Sequence, residues 1–458
     1  MRQTVAELFD SISELLHYPA APPGEYLVGV QPYDLSVVVT ELPGDDARRL
    51  LAMLEPPAAA EVLEHLEYIQ QYRLLRHLPE DVARPILDQM SSDAVVDLAG
   101  AIHPRQAEQL LSLLPTEYAE TVRGLMAYPE NSAGGRMTVD YVSVRQTMTV
   151  AEVLNHIRKV GREAETVSLI YVVDAAGRLT GVASLRELIL AHPQTPIAEV
   201  MNDAVVSVPA AMDQEAAARI VSQYDFVAVP VVSQENRLLG IITVDDVIDV
   251  LQEEATEDIY QLGAVSVPEE PLAPSLPVSA WELARPRLPW LVSLLFLEMG
   301  SSFIVERFSG LVAPATAVML ALFTVVMAGE SGNAATQALA VVVRGLATGE
   351  IEADDMPRVV LREALVGVIV GVVVGGTLLL TGWLWQGSAR FGLAIGGALA
   401  ANLFIAKVLG GLFPVVIHRL GIDPAVASGP FITTLTDNTS MLVYYGVAAL
   451  VLRGAGVG

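Results

Sequence analysis

Residues 359–385 read VVLREALVGVIVGVVVGGTLLLTGWLW, and beyond Arg362 and Glu363 this stretch has no charged residue. A helix needs about 20 mostly apolar residues to cross the hydrocarbon core of a bilayer. Small residues recur here and in the next apolar stretch, and they let helices pack closely in lipid. The sequence therefore predicts an α-helical transmembrane bundle of five spans. The predicted spans are Leu288–Phe308, Leu311–Val341, Val359–Trp385, Phe391–His418 and Pro424–Val451, and the small residues are Gly367, Gly371, Gly375, Gly376, Gly396 and Gly397.

The 458-residue chain carries 53 acidic and 27 basic residues, and the acids are concentrated before the spans. Residues 1–280 hold 42 acids and 17 bases, whereas residues 281–458 hold 11 and 10. So negative a front half argues against nucleic-acid binding, which depends on phosphate neutralisation, and it would attract cations. Because the chain has no cysteine, disulfide scaffolds, zinc–thiolate sites and cysteine nucleophiles are excluded.

The basic residues near the span ends predict the orientation in the membrane, since cytoplasmic loops are enriched in Lys and Arg. A cytoplasmic front half places six arginines inside and three outside. We therefore expect a multi-pass protein of the cell (plasma or inner) membrane, with cytoplasmic N-terminal domains and the C-terminus outside. The inner arginines would be Arg285, Arg287, Arg344, Arg358, Arg362 and Arg419, and the outer ones Arg307, Arg390 and Arg453.

The predicted fifth span carries Asp437 at its middle, where a carboxylate is expensive and therefore informative. Pro430 lacks a backbone N–H and is predicted to leave a carbonyl unpaired near Val426. Oxygen ligands suit hard cations, and Mg²⁺ keeps several of its waters, so Asp437 could hold a hydrated ion. The alternative is a structural carboxylate paired with a neighbouring helix, for which Lys407 is the basic candidate. Residues three and four apart share a face, which groups Pro430, Thr433, Thr434, Asp437, Ser440 and Met441 on one stripe.

Two further polar features lie in the other spans. Asn333 and Gln337 are one helical turn apart and share a face. Their amides either hydrogen-bond a hydrated ion at a pore mouth or join neighbouring helices. Glu298 is a second acid within a span, and it serves either as a secondary ion site or as a protonated structural residue.

The front half begins with short helical segments over residues 34–130, each introduced by Pro, Ser or Asp. Recurrence of such units predicts an all-α superhelical domain. An internal repeat follows, in which Met137-Thr-Val-Asp-Tyr-Val-Ser-Val aligns with Met201-Asn-Asp-Ala-Val-Val-Ser-Val. Gly181-Val-Ala-Ser-Leu-Arg-Glu187 likewise aligns with Gly240-Ile-Ile-Thr-Val-Asp-Asp246. The pattern resembles a tandem pair of α/β CBS domains, modules that often sense adenine nucleotides.

The segment 244–262 connects this repeat to the spans and reads as one amphipathic helix. It carries seven acids and no base, which is destabilising because like charges repel at i,i+4 spacing. The acids form either a solvated face or a divalent-cation site shared with acids elsewhere in the chain.

Together these features resemble the MgtE-type magnesium channel/transporter family over roughly residues 34–458. The resemblance lies in several motifs that occur in the family's order. They are Tyr128-Pro-Glu-Asn-Ser-Ala-Gly-Gly-Arg-Met-Thr138, the CBS pair, Glu253-Glu-Ala-Thr-Glu-Asp258, Gly332-Asn333 with Gln337, Arg344-Gly-Leu-Ala-Thr-Gly349, and Asp423-Pro with Pro430 and Asp437.

The resemblance implies a homodimer in the lipid bilayer whose pore is lined by the second and fifth spans, with the connector as a plug helix. It implies that Asp437 holds hydrated Mg²⁺, that cytosolic Mg²⁺ closes the pore, and that the CBS pair binds ATP. The implied regulatory metal ligands are Asp93 or Asp97, Asp225, Asp245, Asp246, Asp249, Glu254, Glu257 and Asp258. The pore-lining residues are Asn333, Gln337, Pro430, Thr433, Thr434 and Asp437, and the nucleotide-binding residues are Arg186, Glu187, Val206 and Phe226.

The expected domain order has six parts, and the sequence departs from the family at four positions. Glu187 stands where Asp is usual, Ser331 and Ala335 each replace a glycine, and Glu330 adds a carboxylate near the proposed mouth. The parts are residues 1–33 without assignment, the helical N-domain 34–130, CBS domains 131–200 and 201–243, the plug helix and linker 244–280, and the pore domain 281–458.

Two other functions are compatible with the sequence alone. One is a transporter that prefers Mn²⁺, Co²⁺ or Ca²⁺, and the other is a CBS nucleotide sensor whose spans only anchor it. We do not expect an enzyme, because no Ser-His-Asp set, phosphate loop or His-rich metal site stands out.

Overall fold

The structure is a computed structural model that describes residues 5–17, 27, 29–161, 164–265, 280–285, 287–309, 314–351, 355–420, 422–424 and 429–452. The chain divides into two compact units, residues 1–252 and 253–458, and the boundary falls within one helix. The first unit contains the short helices and the repeat, and the second contains the long apolar helices.

The first unit begins with short helices, most of which pack on the helix two positions further along the chain. Prolines start several of them, and Pro43, Pro79 and Pro115 occupy equivalent N-cap positions 36 residues apart. A proline there needs no backbone donor, and the preceding leucine is buried each time. The helices are α1 Val5–His17, α2 Pro32–Glu41, α3 Gly44–Met53, α4 Pro56–Glu64, α5 Tyr68–His77, α6 Glu80–Leu87, α7 Ser92–Gly100, α8 Pro104–Leu111 and α9 Thr116–Leu125.

Residues 1–33 have no sequence assignment, but α1 belongs to the core of these helices. Leu8 and Ile12 are buried in one hydrophobic cluster with Val38 and Leu50. The same cluster extends to Met137 and to residues of the second repeat.

The two repeats have the same sheet topology. In the first, β1 runs parallel to β2, which pairs antiparallel with β3; in the second, β4, β5 and β6 pair in the same way. The elements are β1 Tyr141–Arg145, α10 Val150–Val160, β2 Thr166–Val173, β3 Leu179–Ser184, α11 Leu185–Leu190, a 3₁₀ turn Ile197–Glu199, β4 Val208–Pro209, α12 Gln214–Tyr224, β5 Ala228–Val232 and β6 Leu238–Thr243.

Each repeat packs the methionine that opens it on the glycine of the other repeat. A Cβ atom at Gly181 would clash with Met201 Sδ, and one at Gly240 would lie 2.8 Å from Met137 Cγ. A side chain at either glycine would therefore displace the methionine of the other repeat. This reciprocal contact explains why Met and Gly recur together in the repeat.

Helix α13, Val244–Leu262, begins directly after β6, and its first and last turns lie in different units. Val247 and Val250 are buried in the core of the first unit. Leu262 packs against the core of the second unit, where its carbonyl oxygen lies near Gly429. The predicted connecting helix is thus present.

The second unit consists mainly of long apolar helices. Among the described residues, four helices are long and apolar enough to cross a membrane, and they contain Leu288–Phe308, Ala317–Ala347, Met356–Gln386 and Ala389–Arg419. Residues 429–451 of the fifth predicted span are helical, but this helix is not one of these four. The helices are α14 Ala280–Ala284, α15 Leu288–Ser309, α16 Pro314–Ala347, α17 Met356–Gln386, α18 Ala389–Arg419 and α19 Gly429–Leu452.

Close approach between α17 and α18 depends on small residues, as predicted. A Cβ at Gly371 would lie 2.7 Å from the carbonyl oxygen of Ala400, and one at Gly375 would lie 2.7 Å from that of Gly396. Gly376 and Gly397 have no atom within 4 Å of an added Cβ. Only some of the predicted small residues, among them Gly371 and Gly375, therefore lie in the contact between α17 and α18.

Candidate functional site

Carboxylates from α7 and α13 converge in the first unit. Asp97 accepts a hydrogen bond from Tyr68 Oη (3.1 Å), and its Oδ2 lies 3.7 Å from Arg136 Nη1. Asp93 is one turn earlier, and its Oδ1 is buried without a hydrogen-bond partner among the described residues. Asp246 caps α13 by accepting hydrogen bonds from Thr243. These aspartates are among those that the sequence singled out.

Three further acids surround this group, although the sequence did not indicate them. Glu64 accepts a hydrogen bond from the Ser91 amide (2.8 Å), and Asp140 accepts one from the Ser92 amide (2.9 Å). Glu165 immediately precedes β2. The three acids come from distant parts of the chain, so spacing along the sequence could not have grouped them.

The carboxylates perturb one another. Burial, followed by the charges of Asp246 and Asp245, raises the pKa of Glu165 to about 7. Burial and the neighbouring Asp245 and Asp97 raise the pKa of Asp246 to about 6, against the lowering effect of the Thr243 hydrogen bonds. Burial, and then the charges of Asp246 and Glu165, raise the pKa of Asp93 well above its usual range.

These raised pKa values mean that ionising the carboxyl groups of the cluster near neutral pH costs folding free energy. A cation between the carboxylates would relieve the cost, either by direct ligation or through its own waters. Within the part of the chain that the structure describes, no three acidic or histidine side chains are arranged to hold a metal ion directly.

The other predicted regulatory acids are Asp225, Asp249, Glu254, Glu257 and Asp258. Asp225 is the exposed C-cap of α12, with φ = 53° in the left-handed region. Asp249 is exposed on α13. Glu257 accepts a hydrogen bond from Gln261 (2.7 Å) further along α13, in the second unit with Glu254 and Asp258.

The predicted nucleotide residues include one with an evident structural role. Glu187 Oε2 accepts hydrogen bonds from the amide (2.8 Å) and hydroxyl (2.9 Å) of Ser184, forming a capping box at the start of α11. Asp246 makes the equivalent contacts with Thr243 in the second repeat. Arg186 is exposed, Val206 is half-buried, and the Phe226 ring stacks on Tyr224 with centroids 5.2 Å apart.

In the second unit, a cavity of about 420 Å³ adjoins Asp437. Its walls combine carboxylates and hydroxyls from α15, α16 and α19 with a few apolar side chains. Within the described part of the chain, no basic side chain forms an ion pair with Asp437, so the predicted alternative of a Lys407 partner is wrong. The cavity is lined by Glu298, Ser301, Ser302, Val305, Glu306, Thr324, Ala328, Asp437 and Met441.

Asn438 holds α15 and α19 together beside this cavity. Its Nδ2 donates to the carbonyl oxygen of Leu297 (3.1 Å), and its Oδ1 occupies the space that a Cβ at Gly300 would need. Glu298 follows Leu297 directly, and its charge is near enough to repel that of Asp437. The second acid that the sequence noted is therefore brought to the same cavity as the first.

The predicted stripe on α19 divides between two surroundings. Asp437 and Met441 line the cavity, whereas Ser440 is buried and accepts a hydrogen bond from Asn402 Nδ2 (2.9 Å). Thr433 and Thr434 both donate to the Pro430 carbonyl oxygen at 2.9 Å. Pro430 occupies the first turn of α19, and the carbonyl predicted near Val426 lies outside the described residues.

Asn333 and Gln337 do not line the cavity, although both are exposed on α16. Lys407 Nζ of α18 donates to Gln337 Oε1 (3.2 Å) and lies 4.0 Å from Glu363 Oε2 of α17. Thr433 packs near Gly332, beside Asn333.

Family models match most of the chain. A model described as a divalent cation transporter, MgtE, matches residues 324–447, and the MgtE intracellular N domain matches residues 30–131. The CBS domain model matches residues 133–193 and 197–253. These ranges contain Asp437, the α7 aspartates and the start of α13.

Curated relatives are similar over nearly the whole chain. The magnesium transporter MgtE of Thermus thermophilus is 42% identical over 433 residues, covering 94% of this chain and 95% of the relative. That of Bacillus subtilis is 35% identical over 419 residues, covering 92% and 91%. Both belong to a transporter class rather than to an enzyme class.

Solved structures match the first unit. The cytosolic domain of the Mg²⁺ channel MgtE in complex with ATP is 43% identical, with a TM-score of 0.50, and the match covers 53% of this chain and 99% of that one. The soluble part of a magnesium transporter is 33% identical, with a TM-score of 0.52, and the match covers 55% and 100%. Taken with the whole-chain similarity to the curated relatives, these findings show that the chain belongs to the MgtE family of magnesium transporters.

Proposed function

We propose that this protein is a Mg²⁺-selective channel or transporter for magnesium uptake, with Asp437 in the ion path. The observation that carries the proposal is the cavity where Asp437, without an ion-pair partner in the described part of the chain, faces carboxylates and hydroxyls. A space of about 420 Å³, in which carboxylate and hydroxyl oxygens stand among apolar walls, has room for an ion that keeps its waters. A carboxylate at membrane depth is energetically costly, and such residues commonly mark an ion path.

The proposed pore requires two copies of the chain. It lies at the axis of a homodimer in the cell membrane, with five spans per subunit, and is lined by the second and fifth spans, here α16 and α19. In support of α19 as the fifth span, its Tyr444 Oη donates to the Leu320 carbonyl oxygen of α16 (2.8 Å), and Tyr444 is fully buried. In this arrangement the N-terminal domains are cytoplasmic and the C-terminus is outside.

Cytosolic Mg²⁺ closes the pore in this proposal, with α13 as the plug helix. At low Mg²⁺, repulsion among Asp93, Asp246 and Glu165 favours separation of the segments that carry them. At high Mg²⁺, the ions offset the repulsion and stabilise the closed state. Moving an equilibrium from 1:99 to 99:1 takes about 5.5 kcal/mol of differential binding, which several weak sites can supply jointly.

ATP is proposed as a second ligand of the CBS pair. The support is the relative whose cytosolic domain was solved with ATP. Arg186, Glu187, Val206 and Phe226 remain the candidate contacts, and Glu187 would have to bind while it also caps α11.

The decisive experiment is Mg²⁺ flux into proteoliposomes, with internal Mg²⁺ varied, for the wild type and Asp437→Asn. We expect the substitution to abolish most of the flux and the wild type to close as internal Mg²⁺ rises. Glu350→Gln is the matched control, because Glu350 is an exposed acid at the end of α16 outside the cavity. Equal flux in Asp437→Asn and the wild type would remove Asp437 from the path.

A preference for Mn²⁺, Co²⁺ or Ca²⁺ is the second candidate, because Glu298 and Glu306 add carboxylates to the cavity. The same assay with each ion in turn separates the two. If the protein were instead a CBS nucleotide sensor whose spans only anchor it, none of these ions would be transported.

A further inference from the structure

We propose that Lys407 is a positioning residue that supports Mg²⁺ selectivity by holding the side-chain oxygen of Gln337 away from the ion path. This inference rests on the proposed function, since it takes α16 to line the pore. It concerns a buried group of three polar side chains from three helices: Gln337 of α16, Glu363 of α17 and Lys407 of α18.

The Lys407 ammonium is placed where charge is costly. Its side chain is only 6% exposed, and that of Glu363 is 11% exposed. Glu363 Oε2 is buried and has no hydrogen-bond partner among the described residues, and it lies 4.0 Å from Lys407 Nζ. The two opposite charges neutralise each other, but the hydrogen bond of the ammonium goes to Gln337. Retaining such a pair inside a helical bundle is expensive, which points to a functional reason.

The backbone around this group leaves little room for adjustment. A Cβ at Gly410 would clash with the carbonyl oxygen of Ala335, so α18 and α16 are in close contact just before Gln337. A Cβ at Gly411 would lie 3.2 Å from Glu363 Cγ, and one at Gly367 would lie 3.1 Å from Lys407 Cβ. The separation of Lys407 and Gln337 is therefore set by backbone packing.

The chemistry of the contact fixes which end of the Gln337 amide faces outward. An ammonium group has donors only, so the amide must give its oxygen to Lys407. The exposed end of Gln337 is then the NH₂ group, which cannot ligate a cation. Lys407 thus withholds a carbonyl oxygen that would otherwise be available on the exposed face of α16.

Withholding that oxygen favours an ion that stays hydrated. Mg²⁺ dehydrates reluctantly, whereas Ca²⁺ readily accepts protein carbonyl oxygens as direct ligands. A path without a direct ligand at this position gives Ca²⁺ no compensation for its lost waters. Removing Lys407 lets Gln337 turn its oxygen outward, and the Ca²⁺ to Mg²⁺ flux ratio is expected to rise about tenfold, the equivalent of about 1.4 kcal/mol.

The test measures Ca²⁺ and Mg²⁺ flux in proteoliposomes for the full-length wild type, Lys407→Met, Gln337→Leu and the double variant. We expect Lys407→Met to raise the ratio and to have no further effect when Gln337 is already Leu. Lys407→Arg, which keeps a cationic donor, should retain the wild-type ratio. If Lys407→Met folds poorly because Glu363 is left unpaired, Lys407→Met with Glu363→Gln keeps the interior neutral and tests the same contact.

The ratio distinguishes positioning from a purely structural role, because a loss of folded protein lowers both fluxes together. Suppose that the Ca²⁺ to Mg²⁺ flux ratio is unchanged both in Lys407→Met and in Lys407→Met combined with Glu363→Gln. That result would overturn this inference while leaving the proposed function intact. An equal rise in the Gln337→Leu background would also overturn it. Absence of Mg²⁺ flux in the wild type would overturn the proposed function, and this inference with it.

Discussion

Replacing Asp246 by Asn tests the repulsive acidic cluster most directly. Asp246 is held between Asp245, Asp97 and the Thr243 cap at the start of α13. Asn can still accept the hydrogen bonds from Thr243, because its amide oxygen is an acceptor at the same distance from the backbone as the carboxylate oxygens of Asp. The substitution therefore removes the charge with little change to the cap, and we expect the first unit to become more stable in the absence of Mg²⁺.

The magnitude and the pH dependence follow from the pKa of Asp246. Its pKa is about 6 in the folded protein, against an ordinary value of 3.8. One pKa unit corresponds to about 1.4 kcal/mol, so the ionised carboxylate costs up to about 3 kcal/mol. Because the folded state binds more protons between these two values, the stability of the wild type falls as pH rises through that window. The gain from Asn should be absent below about pH 4 and complete above about pH 6.

The assay is thermal unfolding of the full-length protein in detergent and EDTA, at steps between pH 4 and pH 8, following the first transition. It is then repeated with Mg²⁺ at neutral pH. When free Mg²⁺ is at ten times the dissociation constant of a site, its binding stabilises the folded state by about 1.4 kcal/mol. The wild type should gain more from Mg²⁺ than Asp246→Asn, so that the difference between them narrows.

The matched control is Asp203→Asn, which makes the same charge change at an exposed acid outside the cluster. This control should unfold like the wild type at every pH. If Asp246→Asn also unfolds like the wild type throughout, or if Mg²⁺ stabilises both equally, the account of the cluster given above is wrong.

Three further predictions concern single contacts in the two units. Asn438→Leu should destabilise the contact of α15 with α19 by about 0.5–1.5 kcal/mol, because it removes the hydrogen bond to the Leu297 carbonyl oxygen, and should reduce Mg²⁺ flux even where the protein remains folded. Gly371→Leu should lower the yield of folded protein because its Cβ meets the backbone of Ala400, whereas Gly376→Leu, with no atom nearby, should be tolerated; equal melting temperatures would contradict this. Glu187→Ala should cost about 0.5–1.5 kcal/mol by removing the hydrogen bonds that Glu187 accepts from Ser184 in the capping box of α11, and Glu187→Gln should restore most of it; both are measured by chemical unfolding, and an unaffected Ala variant would refute the capping role.

Much of the fold could be predicted from the sequence because its signals are local. Apolar runs longer than a bilayer needs predicted the long helices, and four of them are confirmed as candidate spans. The repeated Gly-x-x-Ser/Thr-x-x-acid pattern predicted a duplicated α/β module because it combines a close packing position with a helix cap. Glu187 can replace Asp there because a longer carboxylate still reaches the same donors.

The composition of each site could not be predicted in the same way. Helical periodicity placed Ser440 and Asp437 on one stripe, but α18 covers Ser440 through Asn402 while Asp437 faces a cavity. The sequence suggested an ion pair between Lys407 and Asp437. In the structure, Lys407 instead donates a hydrogen bond to Gln337 and lies beside Glu363. A stripe says which side chains share a direction, but not which neighbouring helix lies in that direction.

The order of the amino acids predicted the classes of element, their succession, the acidic front half and the position of Asp437 within an apolar helix. Folding in three dimensions brings Glu64, Asp140 and Glu165 to the aspartates of α7 and α13, and it brings Glu298 to the cavity of Asp437. The physical reason is that charge and hydrogen bonding act over a few ångströms in space. Residues a hundred positions apart along the chain can be neighbours, and their pKa values and available oxygens are set only when the chain has packed.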